Sequence, residues 1–461
     1  MALEAPTLWS NIYIMKNYTE ETKEAAHINL ERSKSAPLFL TWFSMEGQTD
    51  AEAEEIIDDL IIPYAHRWQR ITLLANGEEV ADALHAVMGP LDFQILRDVE
   101  ISCLSSKLSL SGLTLCRNAP LLRRCRLHHV PSLPSLPSNL VVLDYLLTML
   151  GEEPFSLDPL LDFLPHVAHS LEHLRFGSPT SNISATPRKP KIPLQNLKSL
   201  LVKDSHNIME HILTPNLTYF AASYLFKPDA KKVAEMFHGF SAPMLQSIQF
   251  RKIPLLPLLA LHDIPSMFPQ LESVMFADCT YESAFVDLLE PSQPKGSSSL
   301  QTAANHSPIH RSVGGPFPNL KELAISDMAN WTSLQAAIEK RLKNGDKSLR
   351  MIHLPKEDET ESIMRHLTRW LPKQGIELDL YEPRQLRMPT PPVFQDDFCN
   401  EEFRLFHQMM DAADWDDEED DDYEDYEDFE YWQERFIYGD SDDDEEEEEE
   451  EDIEGGGYYD V

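Results

Sequence analysis

The sequence predicts an α/β protein: an irregular leucine-rich-repeat solenoid with a curved parallel sheet and outer helices, then a disordered acidic C-terminal tail. The first observation behind this is a repeating unit. Phe268-Pro269-Gln270-Leu271-Glu272-Ser273-Val274-Met275-Phe276 is a proline, a short gap, then L-x-x-L-x-L with an apolar residue at each L place. It returns at 317–325 and 242–250, and weaker copies begin at Trp68, Leu96, Leu122, Leu140, Leu171, Leu197, Leu217 and Leu349. Most neighbours stand roughly 18–31 residues apart, the spacing of leucine-rich repeats. The second observation is alternation: the end of each unit alternates apolar with polar, as a half-buried strand does. One such strand cannot bury its apolar side alone, but a stack can. The third is a change of composition after residue 381.

Taken in order, residues 1–48 form an N-terminal segment, 49–381 the repeats, 382–413 a proline-containing linker with one possible helix, and 414–461 the acidic tail. Residues 50–64 carry apolar side chains at Ala53, Ile56, Ile57, Leu60 and Ile61, a helical spacing that Thr49 or Asp50 can cap. Strands are expected from Trp68, Leu96, Leu122, Leu140, Leu171, Leu197, Leu217, Leu245, Leu271, Leu320 and Leu349. Return helices are expected at 80–88, 158–168, 229–240, 282–290, 331–343 and 357–371, with a closing strand at 376–380. Residues 131–137 are too rich in proline for a helix, and 177–193 and 291–316 read as loop inserts. Met388-Pro389-Thr390-Pro391-Pro392-Val393 is a stiff extended linker.

The formal net charge of −39 is concentrated at one end. After Met410 there are 29 acidic residues and one basic residue, Arg435, so that stretch carries −28 of the −39 and the rest only −11. Displacing phosphate counterions takes clustered Lys and Arg, and this acidic balance argues against it, so no nucleic-acid partner is expected. The tail repels itself and is expected to be disordered. Its aromatics, among them Trp415, Tyr423, Tyr426, Phe429, Tyr431, Trp432, Phe436 and Tyr438, allow docking on a basic protein; alternatively it only solvates the chain or loops back onto Arg124, Arg126 and Arg175. Ser441, before three aspartates, resembles a site for an acid-directed kinase. The five cysteines, Cys103, Cys116, Cys125, Cys279 and Cys399, form no C-x-x-C pair and read as reduced core residues. No apolar run reaches the length of a membrane span, and the start has no leader pattern. The expected location is therefore cytoplasm or nucleus. The five N-x-S/T sequons are read as chance, and Pro187-Arg188-Lys189-Pro190-Lys191 as a solvated loop rather than an import signal.

No phosphate-binding glycine loop and no G-x-S-x-G elbow occurs. His166, His169 and His173, with His128-His129, are the most metal-like group, but few carboxylates and no cysteine join them; ordinary surface and capping histidines are the expectation. Neither enzyme nor cofactor is expected. The residues between the apolar places point away from the core, to the concave side of the sheet. Of these Arg70, Arg124, Arg126, His173, Arg175, Tyr219, Gln249 and Met275 are the candidates for binding a protein ligand, since Arg and Tyr are common anchors. The alternative is that they only solubilise the chain or lie under loops. The asparagine usual eight places after the first leucine is mostly missing: Cys279 fits, but Val130, Ser205, Ile253 and Met328 stand in other repeats.

Three landmarks add a resemblance. Ala5-Pro6-Thr7-Leu8-Trp9-Ser10-Asn11-Ile12, Ser33-Lys34-Ser35-Ala36-Pro37-Leu38-Phe39-Leu40 and His66-Arg67-Trp68-Gln69-Arg70-Ile71, in that order before irregular repeats, resemble the segment after the F-box in fungal, basidiomycete-type F-box/leucine-rich-repeat proteins. The resemblance covers about residues 5–381. It implies a substrate receptor for an SCF-type ubiquitin ligase. The F-box, which docks on the ligase adaptor, is missing from this chain and would have to be encoded upstream, so the adaptor is a partner only in that case. The other expected function is a stand-alone binder or chaperone of basic proteins through residues 414–461.

Overall fold

The computed structural model describes residues 5–14, 19–44, 50–75, 91–103, 116, 118–128, 130, 133–147, 156–178, 190–203, 208–223, 242–251, 267–277, 317–325, 331–355 and 362–381. All belong to the first of two compact units, Met1–Asp396 and Asp397–Val461. The expectations for 80–88, 187–189, 229–240, 282–290, 291–316, 382–413 and 414–461, and those for His129, Cys279 and Cys399, lie outside the described residues.

The protein is a mixed α/β structure organised by one large parallel sheet. The strands are β1 (Asn11–Ile14), β2 (Leu38–Ser44), β3 (Trp68–Ala75), β4 (Asp98–Cys103), β5 (Arg124–His128), β6 (Val142–Leu146), β7 (His173–Gly177), β8 (Ile192–Pro193), β9 (Ser199–Lys203), β10 (Ile212–Leu213), β11 (Tyr219–Ser223), β12 (Ser247–Arg251), β13 (Ser273–Ala277), β14 (Glu322–Ile325), β15 (Met351–Pro355) and β16 (Glu377–Tyr381). Fourteen of them form the sheet in chain order, every described pair parallel, with β1 and β16 as its edges. β8 and β10 pair separately, also in parallel. The helices are α1 (Glu20–Ser33), α2 (Asp50–Ile56), α3 (Asp158–Val167), α4 (Ile208–His211), α5 (Trp331–Lys343) and α6 (Ser362–Trp370).

The first leucine of a unit lies in a turn, two residues before its strand. Its N–H donates to the carbonyl three residues back, as in Leu122 to Ala119 (3.1 Å), Leu217 to Thr214 (3.2 Å), Leu245 to Ala242 (3.1 Å), Leu271 to Phe268 (3.1 Å) and Leu320 to Phe317 (3.3 Å). In these five turns the second residue is Pro120, Pro215, Pro243, Pro269 or Pro318. Proline suits that place because its fixed φ matches the turn and its missing N–H is not needed there. The residue after each leucine then offers one carbonyl to two N–H groups of the next unit. Glu172 O accepts from Lys198 N (2.7 Å) and Ser199 N (3.1 Å), and Lys198 O accepts from Thr218 N and Tyr219 N (both 3.0 Å).

A side chain just before the leucine ties the turns together. The amides of Asn139, Asn196, Asn216 and Asn319 donate to the carbonyls of Pro120 (2.7 Å), His169 (2.6 Å), Gln195 (2.8 Å) and Pro269 (3.0 Å). The hydroxyl of Ser170 does the same to Ser138 (3.0 Å). Each acceptor stands two places before the first leucine of the preceding unit. The donor ladder that is missing eight places after the leucine is therefore present one place before it.

One face of the sheet builds the core. Rows such as Leu143–Leu174–Leu200–Phe220–Ile248–Val274–Leu323–Ile352 run across neighbouring strands, and all eight are essentially solvent-free. In the next row the Phe250 and Phe276 rings stack at 5.6 Å, and Phe220 meets Phe250 edge-on at 6.4 Å. Each side chain buried in this way contributes about 1.5–3 kcal/mol. Leu160, Leu161, Leu164 and Val167 of α3 complete the core, as do Leu334, Ala337 and Ile338 of α5. α5 also buries Arg341, whose guanidinium ion-pairs with Asp346 (2.6 Å) and donates to the Phe317 carbonyl (2.8 Å).

Several expectations change. The segment 1–48 supplies β1, α1 and β2, so the sheet begins well before Trp68; β1 carries the unit Trp9-x-x-Ile12-x-Ile14, which the sequence reading passed over. The helix expected over 50–64 is α2 followed by a wider π-helical turn, Ile57–Ile61, in which Ile62 N bonds to Ile57 O (2.9 Å). The closing strand runs one residue later than expected. Cys116 and Cys125 are free, buried thiols, as read from the sequence.

Candidate functional site

The strand register places all eight candidate residues on the face opposite the core, in two rows. One row is Arg70–Asp98–Arg124–Val142–His173–Ser199–Tyr219–Ser247–Ser273; the other is Thr72–Glu100–Arg126–Asp144–Arg175–Leu201–Ala221–Gln249–Met275. Parallel strands stand about 4.8 Å apart, so each side chain stands beside its counterpart on the next strand.

That closeness covers several of the candidates. Arg126, Tyr219, Gln249 and Met275 are buried rather than presented to solvent, and so are Glu100 and Asp144 between them. Arginine and carboxylate alternate from β3 to β7, so charge neutralises charge. Glu100 Oε2 takes Arg70 Nη2 at 3.2 Å and Arg126 Nη1 at 3.4 Å. Asp98 pairs with Arg124 at 3.4 Å. Asp144 Oδ2 lies 3.5 Å from both Arg175 Nη1 and His128 Nε2. Burial alone would raise the Asp144 carboxyl, but Arg175, His128 and Arg126 outweigh it and hold it below the usual carboxylate range. Burial lowers His173, against a smaller opposite pull from Glu172.

Beyond β7 the face changes character. Leu201, Tyr219 and Ala221 form an apolar cluster separate from the main core. The Tyr219 hydroxyl donates to Gln249 Oε1 at 2.8 Å, and burial pushes that phenol upward. Gln249 Nε2 and Asp144 Oδ1 are buried without a hydrogen-bond partner.

The L-x-x-L-x-L pattern shows two polar-face places per strand, but the strands run further. A third row, His128–Leu146–Gly177–Lys203–Ser223–Arg251–Ala277, adds Lys203 and Arg251, which the sequence reading missed. Continued alternation after Val202 and Phe250 was the available signal. At the far end His353 Nδ1 meets Asp379 Oδ2 at 2.9 Å, a pair that the repeat pattern does not single out.

The histidines singled out from the sequence are dispersed. His166 lies in α3 with Nδ1 3.0 Å from the Asp162 carbonyl, His169 in the turn after it, His173 on β7, and His128 beside Asp144. Among the described residues no group of three or more His, Cys, Asp or Glu is placed to hold a metal ion. Nor is any described helix long and apolar enough to cross a membrane. The chain matches no family model, and no curated protein matches it.

Proposed function

We propose that this chain is a non-catalytic protein-recognition molecule built as an irregular leucine-rich-repeat solenoid, with the polar face of the sheet as its recognition surface. The observation that carries this reading is the division of labour along fourteen parallel strands in chain order: one face is a continuous apolar core, the other a register-locked array of Arg, Tyr, His and carboxylate side chains. Such a surface suits a protein ligand, for which arginine and tyrosine are frequent anchors. By its resemblance to fungal F-box/leucine-rich-repeat proteins, the ligand would be a substrate for ubiquitination, delivered to an SCF-type ligase if an F-box is encoded upstream of Met1.

The test is affinity capture by the full chain alongside an Arg124→Glu variant, both checked for native circular dichroism. Arg124 is partly exposed and pairs with the partly exposed Asp98 on the face opposite the core, so the charge reversal leaves the apolar core intact. Proteins retained by the native chain and lost by the variant support the reading; identical sets refute it. An upstream in-frame Leu-Pro-x-Glu stretch with a downstream Trp supports the ligase assignment, and its absence there removes it.

A further inference from the structure

We propose that Arg97 and Arg123 form a binding site for a phosphate monoester group, on the rim of the sheet where the chain enters β4 and β5. The site lies beside the polar face rather than on it, and it does not depend on the recognition reading.

The rim is the row of residues that directly follow the first leucines, each offering its carbonyl to the next unit. Where this row brings opposite charges together, they pair. Lys198 Nζ lies 2.6 Å from Glu172 Oε2, and Lys321 Nζ lies 2.7 Å from Glu272 Oε2. The same register sets Arg97 beside Arg123, whose N–H donates to the Arg97 carbonyl at 2.9 Å, and both side chains are exposed. Neighbouring strands stand about 4.8 Å apart. Two guanidinium groups therefore occupy places that elsewhere in the row hold an ion pair.

The chain itself does not neutralise them. Their rim neighbours, Gln69 and Val141, are uncharged. Among the described residues the Arg97 side chain has neither hydrogen bond nor ion pair, and that of Arg123 has one bond, from Nη1 to the Asn139 carbonyl at 2.9 Å. The carboxylates close by in sequence are engaged, Asp98 with Arg124 at 3.4 Å and Asp92 with Gln94 at 3.4 Å. Residues 101–143 contain no Asp or Glu, although the chain has 78, and they carry Lys107, Arg117, Arg123, Arg124 and Arg126. No segment between β4 and β6 can therefore supply a counter-charge.

Like charges side by side repel, and an anion shared between them relieves the repulsion. A carboxylate brings one charge and two oxygens, which suits a single guanidinium. A phosphate monoester brings a charge of about −1.5 to −2 at neutral pH and three acceptor oxygens, so one group serves both arginines. Part of the site is set in advance. Asn139 is tied to the Pro120 carbonyl at 2.7 Å, and its own carbonyl holds Arg123.

Fluorescence anisotropy on the full-length chain at fixed ionic strength tests the site. The probe is a labelled Gly-Gly-phosphoserine-Gly-Gly peptide, compared with the same peptide carrying serine and with Gly-Gly-Glu-Glu-Gly. The phosphoserine probe should bind roughly tenfold more tightly than either. Arg97→Gln should remove most of that difference without moving the thermal midpoint, because Arg97 makes no side-chain bond to lose. Lys198→Gln, which removes a rim cation already in an ion pair, should leave the affinity unchanged. Inorganic phosphate separates the sources. Displacement in the probe's own concentration range assigns the site to the free ion, and displacement only in large excess assigns it to a phosphorylated chain; both support the site. Equal binding of the Glu-Glu peptide would make a carboxylate run the ligand and overturn the assignment. Absence of binding, indifference to Arg97→Gln, or an equal loss in Lys198→Gln would overturn it as well. None of these failures touches the polar-face reading, which the capture experiment with Arg124→Glu decides separately.

Discussion

At the scale of single residues, the polar face shows how charges are kept inside a sheet. Asp144 is buried, yet it stays ionised because Arg175, His128 and Arg126 surround it. Its folded pKa lies below the unfolded one, so the stability it contributes is complete above the ordinary aspartate range, near 4, and is lost as pH falls through the lowered folded value. His173 is also lowered, by burial, so it favours the folded state when neutral. Its contribution is complete above about pH 6.5 and declines as pH falls toward its folded value. Urea unfolding followed from pH 7.5 to 3 should therefore show stability decreasing in two stages, first below about 6.5 and again below about 4. His173→Asn should flatten the first stage and leave the second. A curve flat from pH 7.5 to 5 in the native chain would contradict the first assignment. The same residues show the limit of reading one chain. Arg70, Arg124 and Arg126 were identifiable as polar-face residues from alternation alone, but alternation contains nothing about Glu100 reaching two of them, because that depends on which strands are neighbours.

At the scale of the element, the unit is a turn, a short strand and a donor that reaches back. The prolines were legible in the sequence, and the structure gives their reason: they occupy the second place of the turn whose last residue is the first leucine. The asparagines before those leucines were not singled out, since the expected ladder stands at the other end of the repeat. Their partners are carbonyls 19–50 residues away in sequence, so no local pattern announces them. Each such bond contributes about 1 kcal/mol. Asn196→Ala should accordingly lower stability by about 1 kcal/mol in chemical denaturation, and Asn196→Ala/Asn319→Ala by about twice that, since the two sites are far apart. A clearly larger loss than the sum would mean the turns act as one network. β2 escaped detection for a related reason: its membership of the sheet depends on pairing with β3, as in Leu40 beside Ile71; β1 was passed over although Trp9, Ile12 and Ile14 carry the apolar spacing.

At the scale of the whole molecule, a sheet in chain order couples each strand only to its neighbours, so local stability depends on how many neighbours there are. β1 and β16 have one each. β16 is poorly covered on both sides, and Leu380, on its core side, is 41% exposed. Hydrogen exchange measured by mass spectrometry should therefore find the strongest protection in β6 to β12, weaker protection in β1 and the weakest in β16. Uniform protection from β1 to β16 would show instead that the chain opens as a single cooperative body.

What the sequence determined by itself was the strands of the large sheet from β3 onward, though not β8 and β10, their inward and outward residues, and the helices α3, α5 and α6. Those follow from period and punctuation, which act between residues a few places apart and are written in the chain. What only the tertiary structure decided was the partnership among strands. It set which carboxylate neutralises which arginine, and covered Arg126, Tyr219, Gln249 and Met275 by their neighbours. Electrostatic and packing forces fall off over a few ångströms of space, so they depend on which strands lie side by side rather than on the order of residues along the chain.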